Sequence, residues 1–267
     1  MTYEAIELDF DGPVARLTLN DPDTLNAVSG KMISELNRAA DEIANPVNGA
    51  RCVLWTGKGR AFCSGANLSG GSAAGAGGGS GEIDAGSVLD SHYHPFLRKL
   101  RNLDMPIVNA INGVAAGAGM SFALSGDINI AARSAYFLQA FGRIGLVPDA
   151  GSTYILPRKI GIARAMELSL LAEKLPAEKA LEWGLINAVY DDDKLMDEAE
   201  VLVQKLANGP TVALSRIRKL YRDSLENSFE EQLMAERLYQ KECGLSGDFK
   251  EGVTAFLQKR KAEFTGN

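Results

Sequence analysis

Apolar and polar residues alternate at the start of the chain. Ile6, Leu8 and Phe10 share one face, Asp11-Gly12 interrupts, and Ala15, Leu17 and Leu19 resume the alternation. A period of two broken by a turn dipeptide predicts a β-hairpin. Beyond Ser29, an N-cap residue type, Met32, Ile33, Leu36, Ala40 and Ile43 recur at the spacing of one helix face. Cys52-Val-Leu-Trp55 predicts a short buried strand running into Gly57, and Ile107 to Ile111 predicts a second. The apolar run Met120 to Leu124 follows a turn of small residues, and Asp127 to Ile130 and Tyr136 to Leu138 are further strand candidates. The first half therefore repeats strand, turn and helix without visible identity between repeats, which predicts an α/β fold.

Residues 69–86 are dominated by Gly, Ser and Ala and predict a flexible surface loop. From about Gly161 the pattern turns helical. Pro176 opens a helix that ends near Gly184, and Ser228 and Glu231 have the spacing of a capping box. A last helix is expected over residues 250–263, with Val253, Phe256 and Leu257 on one side. The division that follows is a core over residues 1–200 and a C-terminal helical oligomerisation region over 201–267.

Composition is that of an ordinary globular protein: 267 residues, 46% apolar and 23% charged. With a net charge of −6 there is no overall basic field to attract nucleic acid or an anionic membrane. An anionic ligand has to be held locally, by a few Lys or Arg and by backbone N–H groups. The three cysteines (Cys52, Cys63, Cys243) are odd in number and contain no C-x-x-C, which reads as reduced thiols and not as a disulfide framework or zinc site. The first ten residues lack the features of a secretory signal, and no apolar run approaches the roughly 20 residues of a membrane span. The expected location is the cytoplasm.

Two loops carry candidate chemistry. Gly113-Val-Ala-Ala-Gly-Ala-Gly119 lies between a predicted strand and a predicted helix. Small residues there let a ligand approach the backbone, and a helix start offers unpaired N–H donors; close helix–strand packing explains the same residues. The loop lacks the third glycine of a dinucleotide fingerprint and the Gly-Lys-Ser/Thr of a P-loop. Gly57-Lys-Gly-Arg-Ala-Phe-Cys-Ser-Gly-Ala-Asn-Leu68 is the second, and alone it reads as a turn. Two such loops, each after a strand, are able to supply converging N–H donors, the elements of an oxyanion hole.

Other constellations add little. His92-x-His94 reads as an exposed helix start and gives no metal site. Gly119-Met-Ser121-Phe-Ala123 lacks the final glycine of a nucleophile elbow. Arg216, Arg218, Lys219 and Arg222 read as a solvated helix face or a subunit contact. Asp149, in Pro148-Asp-Ala-Gly-Ser152, reads either as a helix N-cap or as a functional carboxylate.

Asn20-Asp-Pro-Asp-Thr-Leu-Asn-Ala27, Gly59-Arg-Ala-Phe-Cys-Ser-Gly-Ala-Asn-Leu68 and Asn112 through Asp127 resemble, in order, the signature stretches of the enoyl-CoA hydratase/isomerase (crotonase) superfamily. Residues 175–186 and 251–260 match as well, so the resemblance covers nearly the whole chain. It implies a spiral of ββα units, a C-terminal helical trimerisation region, and a homotrimer or dimer of trimers. It implies an acyl-coenzyme A thioester as substrate and no permanently bound cofactor.

By the same resemblance the oxyanion donors are the backbone N–H groups of Ala66 and Ala118, the latter usually a glycine in the family. Leu25, Asn26 and Ala27, with Ala66, Asn67 and Leu68, match the coenzyme A-binding segments; the family often has Asp where Asn67 stands. Phe256 and Lys259 match tail residues that reach the coenzyme A of a neighbouring subunit, and read otherwise as a core Phe and a solvated Lys. Ser121 and Phe141, assigned to the acyl pocket, stand where hydratases carry their two glutamates. Asp149 matches the single catalytic carboxylate of the family's isomerases, including the ring-epoxide isomerase of phenylacetyl-CoA breakdown. The expected activity is therefore isomerisation, through a proton shuttle on Asp149. A hydratase of low efficiency, a dehalogenase or thioesterase with an Asp nucleophile, and a non-catalytic acyl-CoA-binding protein are the alternatives. An N-cap role would lower the pKa of Asp149, whereas an apolar pocket containing Phe141 would raise it; the pocket is expected to win.

Overall fold

The computed structural model describes residues 2–68 and 84–267. The chain opens with a hairpin, β1 (Ile6–Asp11) and β2 (Val14–Leu19), in which Leu8 faces Leu17 and Phe10 faces Ala15 across the pair. Helix α1 (Gly30–Ala44) follows. The Ser29 side chain accepts from the Met32 N–H at its start, and Met32, Ile33, Leu36, Ala40 and Ile43 are buried.

Three units then repeat one plan. In the first, β3 (Cys52–Gly57) and β4 (Ala61–Cys63) lead to a short α2 (Ala85–Val88), a π-helical turn over Leu89–Tyr93, and α3 (His94–Asn102). The second comprises β5 (Ile107–Ile111), β6 (Val114–Ala116) and α4 (Ala118–Ala123). The third comprises β7 (Ile128–Ala132), β8 (Tyr136–Leu138) and α5 (Ser152–Leu171). The first strand of each unit joins a six-stranded sheet, and the second joins a four-stranded one. The chain closes both sheets with β9 (Leu175–Pro176), α6 (Ala177–Glu182) and β10 (Ala188–Tyr190), giving the orders β1-β2-β3-β5-β7-β10 and β4-β6-β8-β9. Strands β2, β3, β5, β7 and β10 run parallel, and β1 is antiparallel to β2. This is the expected α/β spiral of ββα units. Parallel strands covered on both faces are buried along their whole length, as all six positions of β3 and all five of β5 are.

Trp55 anchors the core between the layers, with ring centroids 5.6 Å from Phe62, 5.7 Å from Phe96 and 5.6 Å from Phe122. Helix α7 (Leu195–Ala207) packs on β2, β3, β5, β7 and β10 through its buried Leu195, Ala199, Val203 and Ala207. The division expected at residues 200 and 201 thus falls inside a helix that belongs to the core. The helices beyond it are α8 (Thr211–Asp223), α9 (Phe229–Gly244) and α10 (Gly247–Gln258).

Other expectations shift. Helicity begins at Ser152, not near Gly161, which is a kink inside α5 at φ 77°. The loop expected over residues 69–86 lies mostly outside the described residues, but Ala85 and Gly86 already belong to α2, whose N-cap is Asp84. The last helix ends at Gln258, where Lys259 turns left-handed at φ 54°. Ser228 and Glu231 form the capping box as expected.

The arginine run on α8 is neither solvated nor idle. Arg218, with its side chain only 5% exposed, bonds the backbone carbonyls of Leu100, Arg101 and Leu103 and pairs with Asp127 at 2.7 Å. Arg222 pairs with the other Asp127 oxygen at 2.8 Å and Arg216 with Asp104 and Glu242. The carbonyls at the end of α3 lack helical partners, and a guanidinium supplies the donors they need. Asp127 also accepts from the Ile107 N–H at 2.8 Å, so one carboxylate ties α8 to the start of β5. Asp127→Asn leaves Arg218 buried without its counter-charge, and is expected to lower unfolding free energy by about 3–5 kcal/mol in urea denaturation.

Candidate active site

The site begins where the first two units touch. Gly65, after β4, has φ 105°, and Gly117, before α4, has φ 52°. A Cβ on Gly65 would stand 2.9 Å from the Ala116 carbonyl oxygen, and one on Gly117 would stand 3.8 Å from the Gly65 Cα. A side chain at Gly65 would force the two backbones apart. Gly119 is equally constrained, since a Cβ there would collide with the Cys63 carbonyl.

The residue after each of these two glycines has a free amide. Val28 forms a parallel bridge with Ala66 by donating to the Gly65 carbonyl at 2.7 Å and accepting from the Asn67 N–H at 3.0 Å. That pattern turns the N–H of Ala66 itself out of the pair. Ala118 is the first residue of α4, so its N–H has no intrahelical acceptor. Among the described residues neither N–H finds a partner. Helix α4 is fixed at both ends: Gly117 N–H donates to Leu138, and the Asn109 side chain donates to the carbonyls of Phe122 and Ala123.

The bridge also lays residues 66–68 against Val28, the residue that follows the other segment matched to coenzyme A binding, residues 25–27. Ser64 N–H donates to the Leu25 carbonyl at 3.0 Å, and Leu25 and Asn26 are both left-handed, at φ 58° and 56°. Asn26 is fully buried; its amide donates to the carbonyls of Lys58, Ala61 and Phe62 and its oxygen accepts from the Asp21 N–H. Its side chain therefore shapes the loop, leaving only backbone to face a ligand. Leu68 is exposed. Phe256 and Lys259 lie on and just after α10, and nothing within the described chain brings them to these loops. Phe256 is 82% exposed, so the core reading of it is overturned.

Asp149 completes the constellation from the third unit. The N-cap of α5 is Gly151, and the Asp149 side chain caps nothing. Ala150 and Gly151 both have positive φ, 50° and 85°, which separates the carboxylate from the helix start. The N-cap reading of Asp149 fails for that reason. Its Oδ1 is buried with no hydrogen-bond partner, and burial pushes the carboxyl up to about 6. Its backbone carbonyl accepts from Ser152 N–H and from the Ser121 hydroxyl, both at 3.0 Å. Ser121 is fully buried, one helical turn after Ala118, so its hydroxyl holds the Asp149 loop against the helix that starts at the free amide. Phe141 is buried, its ring tip 4.0 Å from where a Cβ on Gly117 would lie. Ala66, Ala118, Ser121, Phe141 and Asp149 are thus brought together.

Two buried polar side chains had no sequence signal. Gln139 donates to the Met120 sulfur at 3.3 Å but leaves its oxygen unpaired. Tyr93 shares the spacing of Phe96 and Leu100 and reads as an ordinary core aromatic, yet its hydroxyl is unpaired too. Among the described residues no cluster of His, Cys, Asp and Glu is placed to hold a metal ion, and no helix is long and apolar enough to cross a membrane. All three cysteines are free thiols.

A buried carboxylate whose loop is tied through Ser121 to the helix that starts at a free N–H suits proton transfer at a carbon next to a carbonyl, with the free N–H groups as donors to the oxygen that gains charge. Known proteins share the architecture. The 1,2-epoxyphenylacetyl-CoA isomerase of Escherichia coli K12 is 44% identical over 253 residues, covering 95% of both chains. A probable enoyl-CoA hydratase of Rhodobacter capsulatus is 41% identical over 266 residues, covering 100% of both. The crystal structure of an enoyl-CoA hydratase from Polaromonas sp. JS666 superposes with a TM-score of 0.88 at 30% identity, covering 98% of this chain and 100% of that one. Residues 9–267 match the family model of enoyl-CoA hydratase/isomerase, and the chain belongs to that family.

Proposed function

We propose that the protein is an enoyl-CoA isomerase, or an isomerase of a ring-epoxide-CoA, in which Asp149 shuttles the proton. The observation that carries this reading is the buried carboxylate of Asp149, whose Oδ1 has no partner among the described residues and whose pKa burial raises. The two positions matched to hydratase glutamates hold Phe141, which has no acid–base group, and Ser121, whose hydroxyl is committed to the Asp149 carbonyl. Adding water needs one group to activate it and usually another to deliver a proton. Moving a double bond needs one base over one enolate.

In the proposed reaction Asp149 takes a proton from C2 of a 3-enoyl-CoA. The C–H electrons pass into the C1–C2 bond as charge builds on the thioester oxygen. The N–H groups of Ala66 and Ala118 receive that oxygen, each worth roughly 3 kcal/mol in the transition state. The Asp149 carboxyl then returns the proton at C4, the electrons shift to make the C2–C3 double bond, and no other reactant is consumed. The alanine at 118 keeps the N–H and narrows the space beside it. The segments 25–27 and 66–68 hold coenzyme A. The name of the Escherichia coli relative supports an isomerase of this class, and that of the Rhodobacter capsulatus relative keeps hydration on the assay panel.

Phe256 and Lys259 enter this reading through assembly. Phe249, Val253, Phe256 and Leu257 present large apolar side chains to solvent on α10, and Leu233, Met234 and Leu238 do so on α9. Exposed apolar surface of this extent marks a protein interface, and a homotrimer or dimer of trimers would bring the α10 residues to a neighbour's coenzyme A. Light scattering after size exclusion is expected to give a trimeric or hexameric mass; a monomer would remove the role assigned to Phe256 and Lys259.

Asp149→Asn is expected to abolish conversion of a 3-enoyl-CoA to the 2-enoyl-CoA, and washout of its α-hydrogens in D2O, while acyl-CoA binding persists. Retained turnover would sink the assignment. In the native enzyme the base must be ionised, so kcat/KM is expected to rise with pH and level off above the Asp149 pKa of about 6.

The same burial penalises the charged form in the folded state. An Asp with a raised folded pKa favours folding fully below its unfolded pKa near 4, and that advantage is lost as pH rises through the folded value. Asp149→Asn should therefore be more stable than the native protein at pH 8, by about 1–3 kcal/mol. In thermal melts across pH, the difference is expected to vanish near pH 4.

A further inference from the structure

The buried hydroxyl of Tyr93 has no role in the reaction derived above. Tyr93 closes the π-helical turn Leu89–Tyr93 between α2 and α3, a local geometry frequent at functional sites. Its neighbours His92 and Ser91 are exposed and bond each other, whereas Tyr93 itself is only 3% exposed. Its ring packs against Phe122 with centroids 5.9 Å apart, and Phe122 follows Ser121, the residue that holds the Asp149 carbonyl. The hydroxyl is buried and makes no hydrogen bond among the described residues, and neither does Oδ1 of Asp149. Burial above all, with smaller contributions from Cys63 and Asp149, raises the Tyr93 pKa, so the phenol stays protonated.

A buried Tyr hydroxyl nearly always has a partner, because leaving it unpaired forfeits its hydration for nothing. Among the described residues it takes none: its ring packs on Phe122, the Asn109 amide and the Ser121 hydroxyl are given to backbone carbonyls, and Oδ1 of Asp149 is likewise left unpaired. A neutral phenol is suited to donate to an oxygen of the ligand. Sites with such a donor discriminate by the cost of leaving it unpaired.

We propose that Tyr93 is a specificity-determining residue whose hydroxyl donates to an oxygen atom carried on the acyl group, so that the site prefers oxygen-bearing acyl-CoA substrates, such as ring epoxides, over plain hydrocarbon ones. This rests on Asp149 marking the acyl site, and it narrows the two substrate classes left open above to one.

The test is calorimetric binding of 2-hydroxyphenylacetyl-CoA and phenylacetyl-CoA, which differ by one ring oxygen, to the native protein and to Tyr93→Phe. The native protein is expected to bind the hydroxylated ligand about tenfold more tightly. Tyr93→Phe should remove that preference by weakening the hydroxylated ligand alone, with phenylacetyl-CoA unchanged within twofold. Since the hydroxyl has no partner among the described residues, Tyr93→Phe should leave the melting temperature of the ligand-free protein unchanged or higher. Equal binding of the two ligands by the native protein, equal weakening of both by the variant, or a lowered melting temperature would each overturn the proposal. Binding does not require turnover, so a failure of Asp149 as base, seen as unchanged isomerisation in Asp149→Asn, is read separately.

Discussion

The approach of Gly65 to Gly117 governs the site, because two loops from successive structural units meet there backbone to backbone. Each glycine takes a positive φ, and a Cβ on Gly65 would press on the Ala116 carbonyl. The same closeness directs the chain at the next residue. Ala66 is turned out of its bridge with Val28, and Ala118 begins a helix, so among the described residues both amides are left without partners. Free amides in a protein interior are costly, and a site that binds a developing oxyanion is a place where that cost has a return.

Asp149 comes from the third unit and depends on the same helix. Ser121, one turn after Ala118, grips the Asp149 carbonyl, and the positive φ of Ala150 and Gly151 keeps the carboxylate away from the N–H groups of α5. Had the carboxylate capped that helix, its pKa would have fallen and it would have been a poor base at neutral pH. Desolvation instead raises it to about 6. Electrostatics and backbone conformation are thus one design: the turn decides what the carboxylate touches, and what it touches decides its proton affinity.

The C-terminal helices show where local pattern misleads. Arg216, Arg218 and Arg222 look like a solvated charge run, since arginines at helical spacing are usually exposed. The partners of Arg218 and Arg222, the carbonyls ending α3 and the carboxylate of Asp127, are more than 90 positions away along the chain and leave no trace near residue 218. The reverse holds for Phe256, whose side chain is 82% exposed on the isolated chain although its position on an amphipathic helix allows a core reading. Helix α7 likewise crosses the expected domain division because its small buried face, Ala199, Val203 and Ala207, fits flat against the sheet.

Short-range chemistry was legible in the sequence. The hairpin about Asp11-Gly12, the Ser29 cap, the apolar strands and the capping box at Ser228 follow from alternation, helical spacing and capping, all properties of a few adjacent residues. The resemblance of whole stretches added the fold and named Ala66, Ala118 and Asp149. The tertiary structure alone decided which amides stay free, that Ser121 positions Asp149, that Asn26 is a strut within its loop, and that Tyr93 and Gln139 end in unpaired polar atoms. Each depends on two segments distant in sequence reaching van der Waals or hydrogen-bond contact, a geometry that only the packed sheets and helices impose.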